Sequence, residues 1–249
     1  MSSHAPAAAR PPLAVVPSAT DQVFETLLAD IVRGVYPPGA RLPAERDLAH
    51  KLGASRPTLR EALRRLAAWN LCESRRGSGV VIRERTAWSI EVLPACLRYA
   101  GGIPGERTAR VLADLLSLRR ALACEIVRII CGRLDPESFG EIREAIAHAW
   151  SLRADGAAFA AADLDVLKVI ASHANFLPAV WMLNRLGGVY LDIARTVSGA
   201  IACPDDYLAF FDRLLAALAA HDAVAAVAEL SAYLGRHDDH LTTLLEALP

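Results

Sequence analysis

At 249 residues, 53% hydrophobic but only 6% aromatic, the chain holds apolar material for more than one core, and its abundance of alanine and leucine favours packed helices over sheets. No apolar run approaches the roughly 20 residues of a membrane span, so a membrane role is excluded at this stage. The five cysteines, Cys72, Cys96, Cys124, Cys131 and Cys203, are odd in number and contain no C-x-x-C, which points to a reduced, cytoplasmic protein rather than a disulfide scaffold.

Charge is distributed unevenly. The net charge of the chain is −1, yet residues 20–85 carry 12 Lys+Arg against 8 Asp+Glu, a net of +4, and residues 86–249 carry 14 against 20, a net of −6. The first of these segments is the part suited to a polyanion. Before it, an alanine-rich start is broken by Pro6, Pro11, Pro12 and Pro17 and reads as a disordered tail over 1–19, not as a signal peptide.

Val23, Leu27, Leu28 and Ile31 recur at helical spacing over 21–33, and Gly34, Pro37, Pro38 and Gly39 end that helix. A second short helix is expected over 44–52 with Leu48 and Leu52 inward, followed by Gly53 at the bend. Ser55 is a suitable N-cap for a third helix, with Pro57 in its first turn, where a missing N–H costs nothing.

On that third helix Leu59, Leu63 and Leu66 form one face, while Ser55, Arg56, Thr58 and Arg60 crowd its start. Arg56 and Arg60 are four apart and share a side, where arginine forks can reach guanine O6 and N7 in a major groove. Thr58 and Ser55 are short donors suited to phosphate, or to a thymine methyl. Solvation of the helix and pairing with Glu61 account for Arg64 and Arg65, but less well for Arg56, Arg60 and the glycine-tipped segment after the helix. After Asn70, strands are expected over 71–74 and 80–82 around the tip Arg75-Arg76-Gly77-Ser78-Gly79, a shape suited to a minor groove. Three helices and a hairpin in this order describe a winged helix-turn-helix.

The run LPAERDLAHKLGASRPTLREALRRLAAWNL followed by RRGSGV resembles the winged helix-turn-helix of the GntR family of bacterial transcription regulators. The resemblance implies that Arg46, Arg56 and Arg60 are the main DNA contacts, supported by Ser55, Thr58 and Gly77, with Arg76 at the wing tip. Some members carry threonine where Pro57 stands, so one polar contact is absent in this chain.

From residue 86 onward the pattern is helical throughout, with helices expected over 88–99, 107–131, 136–153, 157–172, 177–197, 205–220 and 223–248. Breaks are expected at Gly101-Gly102, Asp135-Pro136, Asp155-Gly156, Asn175, Pro204 and His221-Asp222. The fold class is therefore mainly α: a winged helix-turn-helix over 20–85 and an all-α antiparallel bundle of about seven helices over 86–249, serving effector binding and dimerisation.

The segments DLLSLRRALACEIVRI, FAAADLDVLKVIASHANFL and MLNRLGGVYLDIA resemble the effector domain of the FadR-type branch of that family. Many members of this branch hold a divalent metal with one aspartate and three histidines. Here Asp163 or Asp165 fits the aspartate, but the histidine positions fall near Leu167, Phe211 and Tyr233. The resemblance therefore favours the metal-free, acyl-CoA-responsive type, with no cofactor and an apolar cavity for an acyl-CoA or other carboxylate-bearing effector. Asp163, Asn175, Tyr190 and Tyr233 are its candidate polar anchors, each equally compatible with a satisfied core residue.

Other readings are weaker. A metal-dependent carboxylate sensor of the same branch lacks the histidines. His237 and His240, beside Asp238 and Asp239, fit a solvated helix end better than a metal clip, and His173 fits a cap of the helix ending near Asn175. Cys124 and Cys131, seven apart, suit buried inert thiols better than a redox pair. An enzyme acting on a small acyl or carboxylate substrate is disfavoured, because there are only two lysines, Lys51 and Lys168, and no nucleophile elbow, phosphate loop or H-E-x-x-H. The expected partners are double-stranded operator DNA, a small-molecule effector and a second copy of the chain, because one recognition helix reads too few base pairs on its own.

Overall fold

A computed structural model describes residues 17–100, 108–196 and 203–246, which divide into two compact units, Met1–Ser89 and Ile90–Pro249. Residues 1–16 of the expected tail, the Gly101-Gly102 break and the ends expected at 197 and 248 lie outside the described residues, as does the side chain of His240.

In the first unit, α1 spans Ala19–Val32 and starts two residues earlier than the apolar spacing predicts. The cause is a capping box. The Ser18 hydroxyl accepts from Asp21 N at 3.1 Å, and the Asp21 carboxylate accepts from Ser18 N at 3.0 Å. Helix α2 spans Glu45–Lys51 and α3 spans Arg56–Ala68, with Ser55 capping α3 through a bond from Thr58 N at 3.2 Å. Phe24, Leu27, Ile31, Leu48, Leu59, Leu66 and Leu71 are fully buried together, so the apolar face of α3 seats it and its opposite face is left to solvent.

Strands β1 (Cys72–Arg75) and β2 (Gly79–Ile82) pair antiparallel, with Arg75 opposite Gly79. Gly77 and Gly79 adopt φ of +76° and +75° in the tip, a conformation glycine takes without strain. Strand β1 lies one residue later than the sequence predicts, and β2 begins one residue earlier, at Gly79. Part of the reason is long-range: Arg41 bridges to Val81, and Leu42 N donates to Val80 O at 2.9 Å, so a preceding segment extends the ladder.

The second unit contains seven helices among the described residues: α4 (Leu93–Ala100), α5 (Thr108–Ile130), α6 (Ser138–Ser151), α7 (Gly156–His173), α8 (Leu177–Thr196), α9 (Tyr207–Ala219) and α10 (Ala223–Glu246). Their number agrees with expectation, but α4 begins at Leu93 rather than 88. Pro94 suits a first helical turn, and Trp88 instead donates its indole N–H to Arg83 O at 3.0 Å. Helix α5 packs on α10, α6 on α7, α7 on α8 and α9 on α10 around a core that includes Ile130, Ile142, Phe159, Val166, Ile170, Phe210, Leu214 and Ala226. Gly187 allows α8 to approach α7 closely, since a Cβ there would lie 2.5 Å from Leu164 Cδ2.

Candidate nucleic-acid interface

The proposed contact residues fall on α2, on the start of α3 and on the wing, all within the first unit. Arg56, Arg60 and Arg76 are exposed, and among the described residues neither Arg56 nor Arg76 forms an ion pair. Arg46 is also exposed and pairs with its neighbour Asp47 at 3.1 Å. Ser55 and Thr58 are hydrogen-bonded to each other, Oγ to Oγ1, at 2.8 Å, so both are partly committed to capping α3.

Arg60 does not pair with the adjacent Glu61. Its Nε donates to Glu45 Oε2 on α2 at 2.8 Å, while Glu61 takes Arg64 at 2.9 Å. Arg65 turns to the opposite side, reaching Asp21 at 2.6 Å and lying 4.2 Å over the Phe24 ring. The Ser18 hydroxyl and Arg65 hold the Asp21 carboxyl down at about 2. Arg64 thus pairs with Glu61 as the sequence suggests, whereas Arg65 pairs with Asp21 instead; Arg56, Arg60 and Arg76 are exposed, with Arg60 held through Nε.

The sequence reasoning missed Arg41. The segment carrying it runs beside β2, and its Nη2 donates to Ser78 Oγ in the wing tip at 3.2 Å, which adds a guanidinium beside Arg76 and Gly77. The stretch Arg41-Leu42, a basic residue before the apolar residue that enters the first core, was the available signal.

In the second unit, Asp163 on α7 accepts from the Tyr207 hydroxyl on α9 at 2.9 Å. Burial pushes the Asp163 carboxyl above its usual range, against the opposing pull of the Tyr207 hydrogen bond and of Arg119 and His237. Tyr190 senses the same desolvation and the Asp163 charge, and its phenol is pushed up to about 12. Tyr233 is buried, stacked on Phe210 at 3.7 Å, with burial again the first cause of its raised phenol. Asp163, Tyr190 and Tyr233 therefore share one desolvated neighbourhood, to which Tyr207 also belongs.

Asn175 is not part of it. That residue is exposed, with φ +51°, and takes the left-handed position that ends α7. His173 does not cap this end either; its Nε2 lies 3.0 Å from Glu141 Oε2 on α6. Nor is Asp238 at a solvated end. It is 5% exposed and accepts from Arg119 Nη2 on α5 at 2.6 Å, with Arg120 at 3.6 Å. His237 Nδ1 contacts Tyr233 O one turn back at 2.6 Å.

The residues present do not fit the metal centre of the FadR-type branch. Leu167 is 40% exposed and apolar, and Phe211 and Tyr233 are buried in the core, so no imidazole stands at any of the three positions. Among the described residues no three His, Cys, Asp or Glu side chains come together in a metal-binding group. Cys124 and Cys131 lie seven residues apart along α5, a rise of about 10.5 Å, beyond the roughly 7 Å Cα separation a disulfide spans, so they do not form a redox pair within one chain. No helix among the described residues is long and apolar enough to cross a membrane.

Comparison with known proteins agrees with both units. Residues 19–82 match the family of bacterial regulatory proteins, gntR family, and residues 114–236 match the FCD domain. An uncharacterized HTH-type transcriptional regulator of Mycobacterium tuberculosis is 35% identical over 223 residues, 86% of this chain and 86% of that protein. The fatty acid metabolism regulator protein of Cronobacter sakazakii is 29% identical over 171 residues, 69% of each. The solved structure of Lar from Listeria monocytogenes resembles this chain with a TM-score of 0.60 at 14% identity, over 93% of this chain and all of that one, a likeness of fold. Matched domains and named relatives are those of transcription regulators, not enzymes. With a gntR-type winged helix-turn-helix joined to an FCD domain, the chain belongs to the GntR family of bacterial transcription regulators, in its FadR-type branch.

Proposed function

We propose that this regulator binds a palindromic operator in double-stranded DNA as a homodimer, reading bases with the start of α3 and following the neighbouring groove with the wing. The observation that carries this reading is the exposure of Arg56 and Arg60 at one end of α3 and of Arg76 at a glycine tip, Arg56 and Arg76 in no ion pair among the described residues and Arg60 paired with Glu45 through Nε alone. Arg46, Ser55, Thr58 and Gly77 support them, Gly77 by letting the backbone approach and the others as donors to phosphate. Two-fold pairing follows from the short reach of a single recognition helix.

The effector belongs beside Asp163, Tyr190, Tyr207 and Tyr233 in the helical unit. The kinship with fatty acid metabolism regulators supports an acyl-CoA or another apolar molecule with a carboxylate, with no metal or other cofactor. A coupling of about 1–3 kcal/mol between effector and DNA changes occupancy roughly 5- to 150-fold. The test has two arms. Enrichment of duplexes from a random library by the purified protein is expected to yield a symmetric sequence, bound with steep salt dependence. Native mass spectrometry is expected to report a dimer, without zinc. Enrichment of no sequence, or a monomer on the enriched duplex, contradicts the reading.

A further inference from the structure

Glu45 is a carboxylate placed at the proposed DNA face, where by charge alone it opposes binding. It is the first residue of α2, fifteen positions from Arg60, and its Oε2 accepts from Arg60 Nε at 2.8 Å. Glu61 is the nearer partner in sequence, yet it binds Arg64 within α3. The Glu45–Arg60 bond therefore joins the two helices of the helix-turn-helix. With the two side chains 39% and 61% exposed, such a pair adds little to stability.

Its geometry is more informative than its strength. A guanidinium offers five N–H groups, one on Nε and four on the two terminal nitrogens. Glu45 engages Nε, the N–H nearest the side-chain stem, and so leaves terminal donors for the parallel pair that guanine O6 and N7 accept. Holding the stem also fixes a long side chain before DNA arrives, so that less freedom is lost on binding. Arg56, for comparison, has no carboxylate partner among the described residues.

We propose that Glu45 is a positioning residue for base recognition: it fixes Arg60 so that its terminal nitrogens face a guanine, trading general attraction to phosphate for selectivity at one base pair. The proposal rests on the reading of Arg60 as a base contact. It differs from a purely electrostatic role in sign. Removing the negative charge raises attraction to any duplex, whereas releasing Arg60 lowers discrimination at its base.

The experiment uses the full chain and a random-sequence duplex library, with wild type, Glu45→Gln, Arg60→Ala and the double variant, each checked by thermal melting. The enriched wild-type duplex and its single-base variants are then titrated. Arg60→Ala is expected to lose preference at one guanine in each half-site. Glu45→Gln is expected to weaken preference at that same guanine by about tenfold, within the range of one bidentate contact, while its affinity for unrelated duplex stays equal or rises. The double variant is expected to lose no more preference at that guanine than Arg60→Ala does alone. An unchanged base preference in Glu45→Gln overturns the proposal, and so does a rise in affinity for all duplexes without loss at that guanine. If Arg60→Ala itself keeps every preference, the assignment of Arg60 falls and takes the proposal with it. If wild type enriches no sequence, the regulator reading fails first, and the two failures are told apart.

Discussion

The Tyr207 hydroxyl on α9 donates to the Asp163 carboxylate on α7 at 2.9 Å, linking two helices that are 44 positions apart at these residues. Tyr207 is 1% exposed, and burial raises the Asp163 carboxyl above its ordinary 3.8. An acid raised on folding contributes most below its unfolded value, and that contribution is lost as pH climbs toward the folded one. Asp163→Asn keeps an acceptor for Tyr207 and removes the charge. It is expected to melt higher than wild type at pH 7, by roughly 2–4 °C if about 1 kcal/mol is regained in a domain of this size, with the difference shrinking toward pH 4. Melting curves across that range check it.

Arg119 and Asp238 couple α5 to α10 in the same unit. Asp238 is nearly covered, so removing Arg119 takes a 2.6 Å charged hydrogen bond from a buried carboxylate, with Arg120 farther off at 3.6 Å. Arg119→Met is expected to cost on the order of 1–3 kcal/mol. Arg119→Met with Asp238→Leu is expected to recover most of it, as urea denaturation of the two variants will show.

Gly187 on α8 faces Leu164 on α7 at close range. A methyl group there meets Leu164 Cδ2 at 2.5 Å, so Gly187→Ala is expected to destabilise by about 1–3 kcal/mol through overpacking. Shortening the neighbour in the same chain, with Leu164→Ala, is expected to cost less than the sum of the two single changes.

Arg41 lies beside the wing tip and donates to Ser78. If it faces a phosphate in the complex, Arg41→Ala weakens binding to all duplexes alike and reduces the slope of log affinity against log salt by about one. A titration at several salt concentrations on the enriched duplex and on an unrelated one separates this from loss of base selectivity.

The helix-turn-helix was legible because its signals are local. Ser55 and Pro57 mark the start of α3, the bend at Gly53 has φ +61°, and Gly77 and Gly79 mark the tip. What the sequence conceals is what depends on distant pairing. The one-residue shift of β1 and the earlier start of β2 accompany the Arg41 to Val81 bridge, and the Glu45–Arg60 bond crosses from one helix to the next. In the helical unit, Asp163, Tyr190 and Tyr233 emerge from pattern and resemblance. Tyr207, Arg119 and Asp238 do not, because their roles come from partners 44 and 119 positions away. The left-handed backbone that Asn175 takes at the end of α7 was likewise not singled out, although asparagine is a residue type suited to it.

The most direct test of base reading by α3 is the affinity of Arg56→Ala for the duplex the wild-type protein enriches, measured beside an unrelated duplex by fluorescence anisotropy. With Arg56 exposed and in no ion pair among the described residues, its removal leaves the fold untouched. The predicted result is a loss of about 1–3 kcal/mol on the enriched duplex, roughly 5- to 150-fold, and only a small change on the unrelated one. Equal affinity of variant and wild type for the enriched duplex would contradict it.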